Sequence, residues 1–169
     1  EIYNMLSSNM IFDEPLANHT TFGIGGPAKC VVYPEDLNEL STLLKYAHDN
    51  KIPVIFIGSG SNLLVWDEGF NGFVISLRKT FKKLSISPHS SIVVQSGVML
   101  GTMVKEAIQK QICGLESLIG VPGTVGGALI MNAGAFGREI STYFEEAKTI
   151  NLKGDIKTYS KQDVQFSYR

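Results

Sequence analysis

The sequence has few of the residues from which metal sites and disulfide frameworks are built. It contains two cysteines, Cys30 and Cys113, and three histidines, with no CxxC or similar pattern among them. Structural zinc sites and disulfide scaffolds need several such groups at short, regular spacing. We therefore expect no metal site and no disulfide framework, and a reducing, cytoplasmic environment for the protein.

The sequence also lacks an excess of charge of either sign. Its 15 basic and 16 acidic residues leave a formal net charge of −1, which provides no long-range attraction to nucleic acid or to an anionic membrane. The hydrophobic content of 44% and the charged content of 18% are typical of a globular protein. We expect no nucleic-acid partner, no membrane partner and no obligate protein partner.

Three common nucleotide-binding and catalytic fingerprints are absent. The GxxxxGK[ST] pattern of a P-loop does not occur, and Gly58 and Gly60 are followed by Leu63 where a GxGxxG pattern needs a third glycine. The GxSxG pattern is missing too, which argues against a serine hydrolase. A nucleotide site in this chain must therefore have another form.

The most distinctive segment lies between Glu116 and Arg138, where no charged residue occurs. Its glycines, at positions 120, 123, 126, 127, 134 and 137, allow the backbone to approach another group closely. About 20 uncharged residues would suffice for a membrane span, but Pro122, Asn132 and the glycine density argue against one. Of the two other interpretations, a tightly packed core helix and a bed of backbone amides for a large, flat, anionic ligand, we favour the amide bed.

Local patterns predict an alternation of strands and helices. Strands are expected at residues 20–22, 30–33, 54–57, 73–77, 84–86 and 92–95, and helices at about 34–50 and 99–112, the second ended by a left-handed Gly114. The spacing of the last three strands predicts that they pair antiparallel. Residues 1–17 are expected to form an adaptor, in which Pro15 breaks any helix. A hairpin is expected at 147–152 and 156–159, followed by a capping box from Ser160 to Asp163.

A glycine-serine loop, residues 58–62, follows the buried strand expected at 54–57. Parallel α/β units place ligands at the carboxyl ends of their strands, and this loop offers unhindered amides and two serine hydroxyls for phosphate oxygens. Gly, Ser and Asn also make ordinary tight turns, so the loop by itself leaves both interpretations open. Further along, Thr124 is expected to cap a short helix whose first amides, near Gly126 and Gly127, face a ligand.

Four motifs follow one another along the chain: NHTTFGIGGPA from Asn18, GSGSNLL from Gly58, GLESLIGVPGTVGGALIMNAGAFG from Gly114 and FSYR from Phe166. With these motifs the sequence resembles the MurB family of flavoenzymes over nearly its whole length. The third motif is long and specific, with a small departure at Phe136, where the family usually has tyrosine. The resemblance implies an α+β fold, the two-lobed FAD-binding domain of the vanillyl-alcohol-oxidase/PCMH type.

The resemblance also implies a domain organisation. Residues 1–169 would form one FAD-binding domain, with lobes of about 1–78 and 79–169 and with FAD between them. The family's substrate domain, which carries its proton-donating serine, has no counterpart in this chain. Since the sequence also lacks an initiator methionine, we expect a part of a longer enzyme that is inactive by itself.

By the same resemblance, two groups of residues would form the cofactor site. The pyrophosphate would be held by Gly58, Ser59, Gly60, Ser61, Asn62 and Leu63, and the flavin would be lined by Val121, Pro122, Gly123, Gly126, Gly127, Asn132, Ala133, Gly134 and Ala135. NADPH would reduce FAD, which would in turn reduce UDP-N-acetylglucosamine enolpyruvate to UDP-N-acetylmuramate for peptidoglycan synthesis. Arg169, with Tyr168 beside it, would clamp the substrate carboxylate, since a guanidinium meets a carboxylate through two hydrogen bonds.

Two other functions are weighed against this one. A different flavoprotein of the same fold, such as a sugar or hydroxy-acid oxidase, would use oxygen and an alcohol in place of NADPH and an enolpyruvyl substrate. A noncatalytic nucleotide-binding module would show neither flavin absorbance nor hydride transfer.

Overall fold

The computed structural model describes residues 9–87 and 91–167. The strands are β1 (Asn9–Pro15), β2 (Pro27–Tyr33), β3 (Val54–Ile57), β4 (Phe70–Ser76), β5 (Leu84–Ile86), β6 (Ile92–Val94), β7 (Gly134–Ala135), β8 (Arg138–Glu139), β9 (Glu146–Ile150) and β10 (Ile156–Ser160). The helices are α1 (Leu37–Asp49), α2 (Leu100–Gln109) and α3 (Val125–Ile130), with short 3-10 helices at Leu16–His19, Glu116–Leu118, Ile140–Tyr143 and Lys161–Asp163. Among the described residues, no helix is both long enough and apolar enough to cross a membrane.

The largest sheet has the strand order β1-β2-β4-β3. Strands β2 and β3 both pair parallel to β4, which lies between them, and β1 pairs antiparallel to β2 at the edge. The predicted antiparallel set is therefore wrong for its first strand, although β5 and β6 do pair antiparallel. The reason is burial: residues 72–76 of β4 are all buried, and a run buried on both faces is typical of a central parallel strand.

Helix α1 covers a face of this sheet. Its buried residues are Leu40, Leu43, Leu44 and Ala47, and they pack with the buried strand residues Cys30, Val32, Phe73 and Ile75. Burial raises the pKa of the Cys30 thiol to about 11, so this group stays protonated and packs as an apolar side chain. The helix begins after Asp36 and not at Pro34 as expected. The Asp36 carboxylate accepts hydrogen bonds from the amides two and three residues further on, which makes it the N-cap.

A second core is built around α2 and α3. Its buried residues are Val98, Leu100, Met103, Val104, Ala107, Leu115, Leu118, Val125, Ala128, Ala133 and Ile140. A bridge between Met99 and Thr124 joins the starts of the two helices. The uncharged segment is thus a 3-10 turn, a six-residue helix and a small hairpin, which rules out a single long core helix.

The amino-terminal part differs from the prediction in one place and contains one strand that was not predicted. Residues 9–15, within the expected adaptor, form β1, because β2 supplies an antiparallel partner that the local sequence does not reveal. Residues 20–22, expected as a strand, form a turn after the first 3-10 helix. At the other end of the chain, the β9–β10 hairpin and the capping box from Ser160 to Asp163 are confirmed.

Helix α2 ends earlier than predicted. The chain leaves the helix at Gln111, which has a φ of 58°, three residues before Gly114. The Ile112 amide donates a hydrogen bond to the Ala107 carbonyl across 2.9 Å. This bond is typical of a helix end at which the preceding residue, here Gln111, is left-handed. A non-glycine residue therefore takes the terminating conformation.

Gly101→Ala should stabilise the fold. Gly101 lies in the first turn of α2 with no positive φ, and an added Cβ would lie 3.5 Å from the Ile119 carbonyl oxygen, an ordinary contact. The free energy of unfolding should rise by about 0.4–1 kcal/mol, because alanine restricts the unfolded chain. Urea denaturation measures the change. Gly72→Ala is the control of opposite sign, since its Cβ would lie 2.2 Å from the Pro53 carbonyl oxygen; a Gly101→Ala protein less stable than wild type would contradict the prediction.

Candidate functional site

The glycine-serine loop lies at the carboxyl end of β3 and packs on the turn after the first 3-10 helix. The Thr21 amide donates to the Gly60 carbonyl across 3.0 Å, and a Cβ added to Gly60 would lie 1.9 Å from the His19 carbonyl oxygen. Gly60 also has a φ of 70°, which favours glycine. This glycine is therefore required by the fold itself, whatever the loop binds.

The same loop meets the uncharged segment on another side. A Cβ added to Gly58 would lie 2.7 Å from Oγ1 of Thr124. A Cβ added to Gly123 would lie 3.8 Å from Oγ of Ser61. The first three sequence motifs therefore form one surface, although they are far apart along the chain.

The loop presents a row of hydrogen-bond donors. The amides of Ser59, Gly60, Ser61 and Asn62 have no acceptor within the part of the chain that the structure describes. The Ser59 hydroxyl donates to the Ser61 hydroxyl across 3.1 Å, so the two oxygens are adjacent. Successive unpaired amides beside hydroxyl groups suit the oxygens of a phosphate or pyrophosphate group.

The first amides of α3 are not available to a ligand, and the expectation that they face one is wrong. The Val125 amide donates to the Val98 carbonyl (2.8 Å), and the Gly126 amide donates to the Ser96 carbonyl (2.9 Å). The Gly127 amide donates to Oγ1 of Thr124 (3.3 Å), which confirms the predicted cap. For the Val125 and Gly126 amides the cause is tertiary, because the bridge between the starts of α2 and α3 places distant carbonyls beside these two donors.

An open surface adjoins the loop at Gly120 and Gly123. A Cβ added to Gly120 would find no atom within 4 Å, and the nearest atom to one added to Gly123 is Oγ of Ser61. Val121 is half-buried and Pro122 is exposed, so this surface presents backbone and small apolar groups. A flat ring system fits such a surface better than a compact ion does.

The β7–β8 hairpin carries the last predicted cofactor residues. Ala133 is buried next to it, and Gly134 and Ala135 are half-buried in β7. A Cβ added to Gly134 would lie 2.4 Å from the Arg138 carbonyl oxygen, so this glycine is required for the hairpin to pair. At the tip, Phe136 is 93% exposed, and its ring is free to contact another surface.

Asn132, predicted to line the flavin, is engaged within the protein. It is 7% exposed, and its side chain forms hydrogen bonds with Glu139, Ser141 and Ser167. Its amide group is therefore not available to a cofactor. Asn132 also brings the end of the described chain next to the hairpin.

The two predicted catalytic residues, Tyr168 and Arg169, lie outside the described residues. The segment that leads to them is anchored by Phe166, whose ring packs edge-on against Phe144 with centroids 5.2 Å apart. The prediction of their role therefore stays a prediction.

An exposed apolar patch was not anticipated from the sequence. Leu63 is half-buried in the core, but Leu64 and Trp66 are 71% and 81% exposed. The Trp66 carbonyl accepts a hydrogen bond from the Gly26 amide (2.9 Å), and a cavity of about 280 Å³ lies between this segment and Ile24. The sequence signal that could have indicated this patch is Trp66, which lies two residues after the GSGSNLL motif. A large exposed apolar patch usually contacts another molecule.

Comparison with known protein families gives one match over most of the chain. The model of the family described as "FAD binding domain" matches residues 28–160. This range contains the glycine-serine loop, the open surface and the β7–β8 hairpin.

Curated relatives match the chain from end to end. It is 38% identical to the UDP-N-acetylenolpyruvoylglucosamine reductase of Carboxydothermus hydrogenoformans, over 100% of this chain and 56% of that protein. It is 39% identical to the reductase of the same name from Syntrophus aciditrophicus, over 100% of this chain and 55% of that protein. The chain thus spans little more than half the length of these relatives.

Solved structures agree with the sequence matches. The UDP-N-acetylenolpyruvylglucosamine reductase (MurB) of Thermus caldophilus superposes with a TM-score of 0.75 at 31% identity, over 97% of this chain and 56% of that chain. The 6-hydroxy-D-nicotine oxidase of Arthrobacter nicotinovorans superposes with a TM-score of 0.73 at 19% identity, over 94% of this chain and 37% of that chain. The second likeness concerns the fold alone.

Proposed function

This chain belongs to the FAD binding domain family, and from that premise we propose that it holds the FAD of an enzyme that reduces UDP-N-acetylglucosamine enolpyruvate to UDP-N-acetylmuramate. The fold class and the family resemblance expected from the sequence are confirmed. The observation that carries the proposal is the single surface formed by the glycine-serine loop and residues 120–124. The choice of substrate rests on the name shared by relatives that match the whole chain.

The residues present fit an FAD molecule. The unpaired amides of residues 59–62 and the adjacent serine hydroxyls suit its pyrophosphate, and the open surface at Gly120 and Gly123 suits its flavin ring. Bound FAD supplies the capacity to accept and to donate a hydride. The amides of Gly126 and Gly127 are already hydrogen-bonded within the protein. These two residues therefore contribute to the packing of this surface and offer no free amide to FAD.

The remaining assignments follow the family resemblance. In this proposal NADPH is the hydride donor, and the reaction belongs to cytoplasmic peptidoglycan precursor synthesis. Arg169 binds the substrate carboxylate and stabilises the negative charge that develops beside it, with Tyr168 adjacent. The remainder of a longer protein supplies the proton donor and most of the UDP-sugar surface. The lobes of about 1–78 and 79–169 remain part of this proposal.

The visible spectrum of the purified protein is the first test. Bound flavin gives absorbance bands that a noncatalytic module lacks. Turnover is then measured with NADPH and the enolpyruvyl substrate, and separately with oxygen and simple alcohols. A folded protein without flavin bands would refute the cofactor assignment, and turnover with oxygen and an alcohol alone would point to an oxidase instead.

Gly123→Val should lower the affinity for FAD by about tenfold or more, a loss of at least about 1.4 kcal/mol. The valine branch would occupy the open surface between the uncharged segment and Ser61, where we place the flavin. The φ of 134° adds backbone strain of about 1–3 kcal/mol, so FAD binding is titrated by fluorescence at a temperature where circular dichroism shows folded protein.

Gly137→Val is the matched control for this strain. Gly137 has a φ of 76° at the hairpin tip, and an added Cβ would find nothing within 4 Å. It should show similar destabilisation with normal FAD affinity, and equal FAD affinity in the two variants would contradict the placement of the flavin. Gly60→Val is not a useful test, because its Cβ would collide with the His19 carbonyl and disrupt the fold.

A further inference from the structure

The Asn132 side chain joins three segments of the chain. Its Nδ2 donates to Oε2 of Glu139 (2.5 Å) and to the Ser167 carbonyl (3.1 Å), and its Oδ1 accepts from the Ser141 amide (3.4 Å). Both hydrogens of the amide group are thus used. Since the residue is only 7% exposed, water has little access to compete for these bonds.

The backbone at this position restricts which residues fit. Asn132 has a φ of 43°, a left-handed conformation that Asn and Asp adopt more readily than other non-glycine residues. Aspartate would satisfy the backbone but would lack both donors. It would also place a negative charge against the Glu139 carboxylate, so Asn132→Asp removes the hydrogen bonds and keeps the local shape.

The bond to Ser167 matters under the proposed function, on which this inference rests. Ser167 directly precedes Tyr168 and Arg169, and Asn132 directly precedes the proposed flavin neighbours 133–135. We infer that Asn132 is a positioning residue, because its side chain holds the Ser167 backbone. Under the proposed function, this contact keeps Arg169, two residues further along, at a constant place relative to the flavin when it meets the substrate. Its side chain acts through this segment and does not touch the cofactor.

The test uses the full-length, FAD-loaded protein, with rapid mixing to measure the two half-reactions separately. In Asn132→Asp, flavin reduction by NADPH should keep its rate, whereas hydride transfer to the enolpyruvyl substrate should slow about 10²-fold. A misplacement of about 1 Å has an effect of that size. An Asn132→Asp protein that reduces the substrate at the wild-type rate overturns the inference.

A second substitution separates positioning from stability. In Asn132→Asp/Glu139→Gln, the new glutamine amide can donate to the aspartate, which restores the link to the hairpin. The Ser167 carbonyl still faces a carboxylate, so that bond stays broken. The melting temperature should return toward the wild-type value while hydride transfer remains slow. Recovery of both together would show that Asn132 acts through folding alone, and would overturn the inference.

Asn151→Asp is the matched control. Asn151 also donates from Nδ2 to a carboxylate, Oδ2 of Asp155 (3.1 Å), in a turn that α1 holds through a hydrogen bond from Ser41 to the Gly154 carbonyl (2.9 Å). Its melting temperature should fall, with hydride transfer unchanged; an equal slowing in this variant would overturn the inference.

If the wild-type protein itself fails to turn over, the proposed function is refuted. If the wild-type protein turns over normally and Asn132→Asp is unaffected, only the positioning role is refuted.

Discussion

The 169-residue chain alone should reduce the enolpyruvyl substrate about 10²–10⁴-fold more slowly than the full-length protein, since general acid catalysis alone contributes a factor of this size. The chain covers 56% of the length of the Carboxydothermus hydrogenoformans relative, and we assign the proton donor and most of the UDP-sugar surface to the remainder. The described residues of the candidate site offer amides, hydroxyls and apolar backbone to a cofactor. They suit the binding of FAD more than the protonation of a product.

Steady-state turnover of the two proteins, compared per bound FAD, measures this difference. The control is flavin reduction by NADPH in the same samples, which shows whether each protein holds a working cofactor. Similar turnover by the short chain and the full-length protein would reject the assignment of the proton donor to the remainder.

Arg169→Ala in the full-length protein should slow hydride transfer from flavin to substrate by about 10²–10³-fold, by analogy with the loss of one preorganised donor at a developing anion. In the proposed reaction, negative charge develops next to the substrate carboxylate, and a fixed cation there would stabilise the transition state more than the ground state. FAD binding and flavin reduction by NADPH should change little, because neither step develops that charge. Rapid mixing separates the two half-reactions.

Arg169→Lys should recover only part of the loss, because an ammonium group cannot make the two parallel hydrogen bonds of a guanidinium. In the Arg169→Ala background, Asn132→Asp should have little further effect, since residues that act through one another are not additive. If Arg169→Ala kept full activity, Arg169 would have no catalytic role and would be an ordinary solvated charge.

Local patterns identified many of the elements of this fold. The apolar run at 54–57, the helical spacing of the leucines in α1 and the two segments of the carboxyl-terminal hairpin each matched an observed element. The Thr124 cap and the capping box from Ser160 to Asp163 were also correct. All of these depend on interactions between residues close in sequence, or on a face whose burial shows as periodicity.

The glycines of the candidate site differ in what approaches them, and the sequence alone does not distinguish these cases. The family resemblance implied that Gly58, Gly60, Gly123, Gly126 and Gly134 all line the cofactor. In the structure, Gly60 makes room for the His19 carbonyl, Gly126 for Ser96 and Gly134 for Arg138. A Cβ added to Gly123 would meet only Oγ of Ser61, at 3.8 Å, which is an ordinary contact. A glycine in the sequence thus reports that something approaches the backbone closely, but not whether it is a ligand or another part of the chain.

The sequence by itself determined the family, the loop with its row of amides and serines, and the order of most helices and strands, because these depend on motifs and on contacts over a few residues. Tertiary structure alone decided that β4 lies between β2 and β3, that the Val125 and Gly126 amides of α3 donate to the carbonyls of Val98 and Ser96, and that the Asn132 side chain holds Ser167. In each case a donor or a strand edge finds its partner in a segment distant along the chain. Which partner it finds depends on how the whole backbone packs, and no local pattern encodes that choice.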